Sequence, residues 1–157
     1  MVAKDGQIHL LDSVALNAAP YKTPAPPAVS NFVPGALASW QGSDGTRWLL
    51  TSSAQAVVAW KVTDPNGAPA LQTGWVSRQM TAPLTSMILN GVVFTASGGE
   101  GPEILYALDS TTGKELWNSG KTITSSARVG TLAAGGSQVY LATNDGTLFV
   151  FGYPIEH

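Results

Sequence analysis

The chain has 157 residues, of which 44% are hydrophobic and only 11% are charged, and its formal net charge is −2. Because the charged share is well below the usual ~25%, the composition favours a β protein with Ser, Thr, Asn and Gln at its polar positions. The lack of cysteine excludes disulfides, thiolate metal sites and cysteine nucleophiles, and eight scattered Lys and Arg argue against nucleic acid as a partner.

In chain order, several short stretches combine β-branched or aromatic residues with apolar–polar alternation, which is typical of strands. They are Gln7–Leu11, Arg47–Thr51, Ala56–Val62, Gly91–Ala96, Ile104–Leu108, Gln138–Thr143 and Thr147–Phe151. Dipeptides that favour tight hairpin turns occur at Asp5-Gly6, Asp44-Gly45, Asn66-Gly67, Asn90-Gly91 and Asp145-Gly146. Since no stretch keeps a 3.6-residue apolar period, the sequence predicts an antiparallel meander with essentially no helix.

One strand-and-turn pattern recurs along the chain. The segment KDGQIHLLD at Lys4–Asp12 matches NDGTLFVFG at Asn144–Gly152, and two similar strands lie between them. The alignment equates four residues at spacings of 49, 47 and 43: Leu11, Trp60, Ala107 and Val150. A period in the forties that holds four short strands is the signature of a β-propeller blade.

We therefore predict an all-β chain of propeller blades, each a four-stranded antiparallel meander. The predicted parts are a blade remnant at 1–17, a connection at 18–35, blades at 36–80 and 81–122, and a partial blade at 123–157. Since propellers close with about four to eight blades, about three blades are expected to form an incomplete ring and a fragment of a longer protein. The connection holds five prolines, which favours a rim loop, with partner docking as its functional alternative.

The run YALDSTTGKELW carries a more specific pattern, consisting of Ala107, Asp109, Gly113, Lys114 and Trp117. This run resembles the tryptophan-docking motif of the PQQ-repeat (quinoprotein-like) propeller family. The resemblance implies that the tryptophan packs against the neighbouring blade while the aspartate and the turn brace the hairpin. A second, less regular copy has Asp64, Gly67 and Trp75 as approximate counterparts. Kelch and WD40 repeats share the architecture but fit the glycine and tryptophan positions less well.

Few residues suggest chemistry, and for each the structural interpretation is the stronger one. Five tryptophans in predicted strands and blade-edge motifs favour core packing over a stacking platform for a ligand: Trp40, Trp48, Trp60, Trp75 and Trp117. His9 and His157 have no visible partner for metal binding or acid–base work. Glu100 and Glu103 flank a loop and are possible calcium ligands, but a solvated hairpin connection is the favoured interpretation. No Gly-x-Ser-x-Gly elbow indicates a serine hydrolase.

The preferred functional hypothesis is a non-catalytic propeller module that binds a protein or a small ligand, with no catalytic or metal residues and no assignable cofactor residue. Its partners would be the remaining blades or another protein. The alternative, implied by the resemblance, is part of a PQQ-dependent alcohol or sugar dehydrogenase that holds the quinone and calcium. The resemblance also implies a periplasmic or extracellular parent protein. Residues 1–6 carry no signal-peptide pattern, and no apolar run approaches the ~20 residues of a membrane span.

Overall fold

The computed structural model describes residues 8–11, 14–15, 21–23 and 37–152. Within these residues the chain is all-β, with antiparallel four-stranded sheets and no closed sheet, so the predicted fold class is confirmed. The helical content of the described residues is a single 3₁₀ turn at Pro65–Gly67, and no helix among them is long and apolar enough to cross a membrane. The Asp5-Gly6 turn, Asp12 and His157 lie outside the described residues.

Thirteen strands follow one another along the described residues. They are β1 (Ile8–Leu10), β2 (Tyr21–Thr23), β3 (Ala38–Gln41), β4 (Arg47–Ser52), β5 (Val57–Thr63), β6 (Ala70–Val76), β7 (Met87–Leu89), β8 (Val92–Ser97), β9 (Ile104–Asp109), β10 (Glu115–Asn118), β11 (Ala127–Gly135), β12 (Gln138–Thr143) and β13 (Leu148–Gly152). Predicted Asn-Gly and Asp-Gly turns join several of them, and Gly45, Gly91 and Gly146 take the positive φ that such turns require.

The strands form four sheets in chain order. The first sheet pairs β1 with β2, the second has the order β3-β4-β5-β6, the third has the order β7-β8-β9-β10, and the fourth has the order β11-β12-β13. All pairings are antiparallel and join strands that are consecutive in sequence, so each sheet is a meander. The repeated, blade-like sheets are those expected of a β-propeller in general.

The sheets stack face to face because their central strands are apolar on both sides. In β5, Val57 and Ala59 pack against the third sheet, whereas Val58 and Trp60 pack against Ile8 of the first. In β9 the same alternation sends Tyr106 and Leu108 toward the second sheet and Leu105 toward the fourth. Strands that are buried on both faces lose the apolar–polar alternation of a one-sided sheet. The continuous apolar character of AVVAWKV therefore follows from burial between two neighbouring sheets.

This alternation corrects the sequence alignment of the repeats by one residue. Ala59 pairs with Trp75 of the outer strand, and Ala107 pairs with Trp117 in the same way. Ala59, and not Trp60, is thus the structural counterpart of Ala107. The error matters because a one-residue slip along a strand exchanges the two faces of the sheet.

The segment predicted as a Pro-rich connection contains a strand. Within 18–35, residues Tyr21–Thr23 form β2, which pairs with β1 in the register Ile8↔Thr23 and Leu10↔Tyr21. β2 also contacts β6, the outer strand of the second sheet. The sequence analysis missed this strand because three residues bounded by prolines are too short to show alternation. The other residues of 18–35 lie outside the described part of the chain.

Two connections cross from one sheet to the next: residues 77–86 join the second sheet to the third, and residues 119–126 join the third to the fourth. The connection 77–86 bonds to the second sheet through Met80 N–H, which donates to the Gln55 carbonyl (2.8 Å). It bonds to the third sheet through Leu84 N–H, which donates to the Ala96 carbonyl (2.8 Å). Because alternate connections of a meander lie at opposite ends, both crossings lie at the end opposite the β3–β4 and β9–β10 turns.

Candidate functional site

Asp109 braces the turn between β9 and β10. Its Oδ1 atom accepts hydrogen bonds from the Thr112 hydroxyl (2.8 Å) and from the backbone N–H groups of Thr112 (2.8 Å) and Thr111 (3.0 Å). These bonds lower the pKa of Asp109 from its usual value, with the Thr112 hydroxyl as the largest cause. Gly113 has φ of 70°, and its N–H donates to the Asp109 carbonyl (2.8 Å). The Lys114 side chain is exposed, and the backbone carbonyl of Lys114 accepts a hydrogen bond from the Asp109 N–H (2.8 Å).

Trp75 of the second sheet docks against this turn of the third sheet. Its indole N–H donates to the Ser110 carbonyl (2.9 Å), and the side chain is only 7% exposed. Its ring lies directly on Gly113, where an added Cβ would be 2.7 Å from the Trp75 Cδ2 atom. The irregular copy of the motif therefore supplies the docked tryptophan, and the regular copy supplies the turn that receives it.

Trp117 is the equivalent residue of the third sheet but is covered far less. Like Trp75, it follows a β-bulge in the outer strand and lies opposite an alanine, Ala107. Its ring meets Phe151 of the fourth sheet edge-on, with 5.5 Å between ring centroids. Trp117 is 44% exposed. Contact with a β13 side chain alone thus leaves nearly half of this side chain accessible to solvent.

The other three tryptophans pack between sheets. Trp40 and Trp48 stack with ring centroids 5.3 Å apart and an interplanar angle of 8°. Lys61 Nζ lies 5.2 Å from the ring centroid of Trp48. Trp60 is 2% exposed, and its indole N–H donates to the Thr51 hydroxyl (2.9 Å). These contacts are those of core side chains rather than of a platform open to a ligand.

Two adjoining cavities open at the end of the sheets that carries the crossing connections. The larger, of about 650 Å³, lies between the second and third sheets, and the smaller, of about 450 Å³, lies between the β8–β9 connection and the connection 119–126 that leads from the third sheet to the fourth. Both border Pro102 and Ile104, in and just after the β8–β9 connection. We refer to the two cavities together as the loop-end groove.

The larger cavity is lined mainly by the connections of the second and third sheets. Its lining residues are Ala54, Gln55, Arg78, Gln79, Met80, Thr81, Ser97, Gly98, Pro102, Ile104 and Tyr106. Arg78 Nη1 lies 2.6 Å from Glu115 Oε2 of the third sheet, and its guanidinium lies 5.7 Å from the ring centroid of Tyr106. The hydrogen bond between them lowers the pKa of Glu115 and raises that of Arg78. This ion pair links the connection 77–86 to β10 of the third sheet.

The smaller cavity contains a buried carboxyl group. Its lining residues are Pro102, Glu103, Ile104, Gly120, Lys121, Ile123 and Thr124. Glu103 is 1% exposed; its Oε1 atom accepts the Ala127 N–H (3.3 Å), while Oε2 has no hydrogen-bond partner among the described residues. Burial raises the pKa of this carboxyl above its usual value of 4.5. The favoured interpretation of a solvated loop holds for Glu100, which is exposed, but is wrong for Glu103.

The described residues do not fit a centre that binds calcium and a quinone. Among them, no three His, Cys, Asp or Glu side chains lie together in a way that could hold a metal ion. Glu103 faces a backbone N–H, and Glu100 points to solvent. Trp48, Trp60 and Trp75 are buried between sheets, and Trp117, although 44% exposed, lies in no group of carboxylates among the described residues that could hold calcium beside a quinone. His9 is half-buried on β1.

Sequence reasoning missed the loop-end groove and the burial of Glu103. The glycine at position 98 is related to the burial of Glu103. A Cβ atom added to Gly98 would be 2.9 Å from the Glu103 Cα atom. A glycine that permits such close approach marks a folded-back loop rather than an open one. Nothing in the local sequence, however, specifies that Glu103 then meets Ala127 of the fourth sheet.

The chain was compared with known proteins. It matches no family model and none of the curated proteins. Among solved structures, a match of 14% identity and TM-score 0.38 is the crystal structure of the computationally designed Ika4 protein; the match covers 78% of this chain and 94% of that one.

Proposed function

We propose that this chain is a non-catalytic, PQQ-repeat-like propeller segment that binds a peptide segment of a partner protein in the loop-end groove. The observation that carries this proposal is the position of two adjoining cavities at one end of three stacked sheets. Connections at the end of a rigid β scaffold are frequent sites of recognition, since the sheets fix their positions while their sequences vary.

The shape and lining of the groove favour a peptide over a small molecule. Small-molecule sites enclose most of the ligand surface, whereas these cavities are open and adjoin each other at Pro102 and Ile104. The exposed amides of Gln55 and Gln79 provide donors and acceptors for a peptide backbone. Apolar groups of Pro102 and Ile104, which line both cavities, provide surface for peptide side chains.

The family assignment and the cellular location belong to the same proposal. The turn of Asp109 to Lys114 and the docked Trp75 support membership of the PQQ-repeat family. A periplasmic or extracellular parent protein follows from that membership alone. The dehydrogenase alternative has no support from the described residues, and titration of the folded chain with the quinone, followed by fluorescence, tests it directly. Saturable binding would reinstate it.

A random-peptide library, selected on the immobilised folded chain, tests the groove. The double variant Gln55→Ala/Gln79→Ala is expected to bind the selected peptides about tenfold more weakly, which corresponds to the loss of ~1.4 kcal/mol from one or two hydrogen bonds. Gln72→Ala, an exposed glutamine on β6 outside the groove, is the matched control and should bind normally. Peptides that bind the double variant and the parent chain equally would place recognition elsewhere.

A further inference from the structure

The fourth sheet has an open edge. In the described part of the chain, β13 pairs with β12 on one side, and no strand pairs with its other side. In the second and third sheets that position is filled by β6 and β10. Two side chains that β13 leaves exposed are apolar, since Leu148 is 59% and Val150 is 46% exposed. An unpaired strand edge with apolar side chains is a template for a further strand.

The contrast between two equivalent tryptophans indicates what this edge is suited to receive. Trp75 is 7% exposed because the turn that precedes the outer strand of the next sheet, Ser110 to Gly113, covers its ring and accepts its indole N–H. Trp117 has the same position relative to its own sheet but is 44% exposed. The difference lies in the covering turn, because the bulge and the facing alanine are the same in both sheets.

The five residues after β13 do not include the residue type that makes such a turn. Covering Trp75 requires Gly113, with φ of 70° and no room for a Cβ atom against the ring. The five residues from Tyr153 to His157 contain no glycine, and Glu156 stands where the alignment of Gly152 with Asp109 would place one. Residues 153–157 therefore lack the residue type that covers Trp75 in the neighbouring sheet.

We propose that β13 accepts an extended strand from a partner polypeptide, preceded by a glycine turn that covers Trp117. Backbone hydrogen bonds to the β13 edge provide affinity, and alternate apolar side chains beside Leu148 and Val150 provide specificity. The surface continues the sheet-to-sheet interface already formed between Trp75 and the β9–β10 turn. It is separate from the loop-end groove.

A peptide copied from this chain tests the proposal. Residues 109–118, DSTTGKELWN, contain the turn and the outer strand that fill the equivalent position in the third sheet. The labelled peptide is expected to bind the full chain saturably, as measured by fluorescence anisotropy. Val150→Lys should weaken binding about tenfold because an edge lysine opposes strand addition. Val76→Lys is the matched control, because Val76 is an outer-strand valine with 47% exposure.

The outcomes separate the possibilities. Weaker binding of a peptide with alanine in place of its glycine would support the contact with Trp117. Absence of saturable binding by the folded chain, or equal binding by the two lysine variants, would overturn the proposal. A dimer of the chain alone that dissociates on Val150→Lys, detected by light scattering, would make a second copy the occupant and also overturn it. The Gln55→Ala/Gln79→Ala variant should bind this peptide normally, so the edge and groove proposals fail independently.

Discussion

Glu103 joins the third and fourth sheets through both its backbone and its side chain. Its N–H donates to the Ser125 carbonyl (3.3 Å), and its carboxyl accepts the Ala127 N–H (3.3 Å). The second carboxyl oxygen is buried with no hydrogen-bond partner among the described residues. Ionisation places a charge in this poorly solvated position, which is why burial raises the pKa of the group.

We expect Glu103 to make the stability of the chain depend on pH. The pKa of Glu103 is higher in the folded state than its ordinary value of 4.5. The contribution of the protonated carboxyl to folding stability is therefore complete below pH 4.5 and is lost as the pH rises through the folded-state pKa. Glu103→Gln cannot ionise, so its free energy of unfolding should fall less over the same rise in pH. Urea unfolding at a series of pH values measures the difference.

Glu100→Gln is the control for this experiment, because Glu100 is exposed in the same loop. It should leave the pH dependence of the parent chain unchanged. Parallel pH profiles for Glu103→Gln and the parent chain would show that the buried carboxyl carries no such penalty. The lowered pKa values of Asp109 and Asp145 act at lower pH, and they are common to all three proteins.

At the scale of elements, the contact between the β9–β10 turn and Trp75 holds the second sheet to the third. Gly113→Ala should destabilise the chain by two separate effects. A residue with a Cβ atom at φ of 70° costs about 1–2 kcal/mol, and the overlap with the Trp75 ring costs about 1–3 kcal/mol more. Urea unfolding should therefore show a loss of about 2–5 kcal/mol.

Gly146→Ala, in the β12–β13 turn, separates these effects. Gly146 has φ of 84°, but no atom lies within 4 Å of an added Cβ. It should lose only the backbone contribution, about 1–2 kcal/mol. Equal losses for the two variants would mean that the Trp75 contact contributes nothing to stability.

The central strands of the second and third sheets, β4, β5, β8 and β9, could be predicted to within a few residues. Alternating or continuously apolar stretches gave the strands, and Asn-Gly or Asp-Gly pairs located turns such as the one at Gly91. β2 could not be predicted, because its three residues form a strand only through pairing with β1. The one-residue misalignment at Trp60 has the same origin, since a strand buried on both faces carries no alternation to set its register.

At the scale of the whole molecule, the core clusters of the described residues join neighbouring sheets, as in repeat proteins. The inner strands β3, β7 and β11 adjoin in that order. Hydrogen exchange should therefore be slowest in β5, β8 and β9, whose side chains Val57, Val93 and Leu108 are fully buried. It should be fastest in β1 and β2, which form a two-stranded sheet.

Mass spectrometry of exchanging peptides, with rates normalised to those of the unfolded chain, measures this gradient. Protection as strong in β1 and β13 as in β8 would indicate that the terminal sheets are covered in solution, for example by self-association. Light scattering on the same sample distinguishes that case. Protection that is uniformly weak would show that the stacked sheets do not form a stable core.

The sequence by itself determined the fold class, the central strands of the second and third sheets and the turn of Asp109 to Gly113. These depend on interactions between residues close in the chain, namely alternation, turn chemistry and a side chain bonding to its own loop. Only the tertiary structure decided which tryptophans are covered, that Glu103 is buried, and that two cavities adjoin at one end of the sheets. The physical reason is that these properties depend on contacts between sheets, where the two partners are separated by dozens of residues and neither one specifies the other.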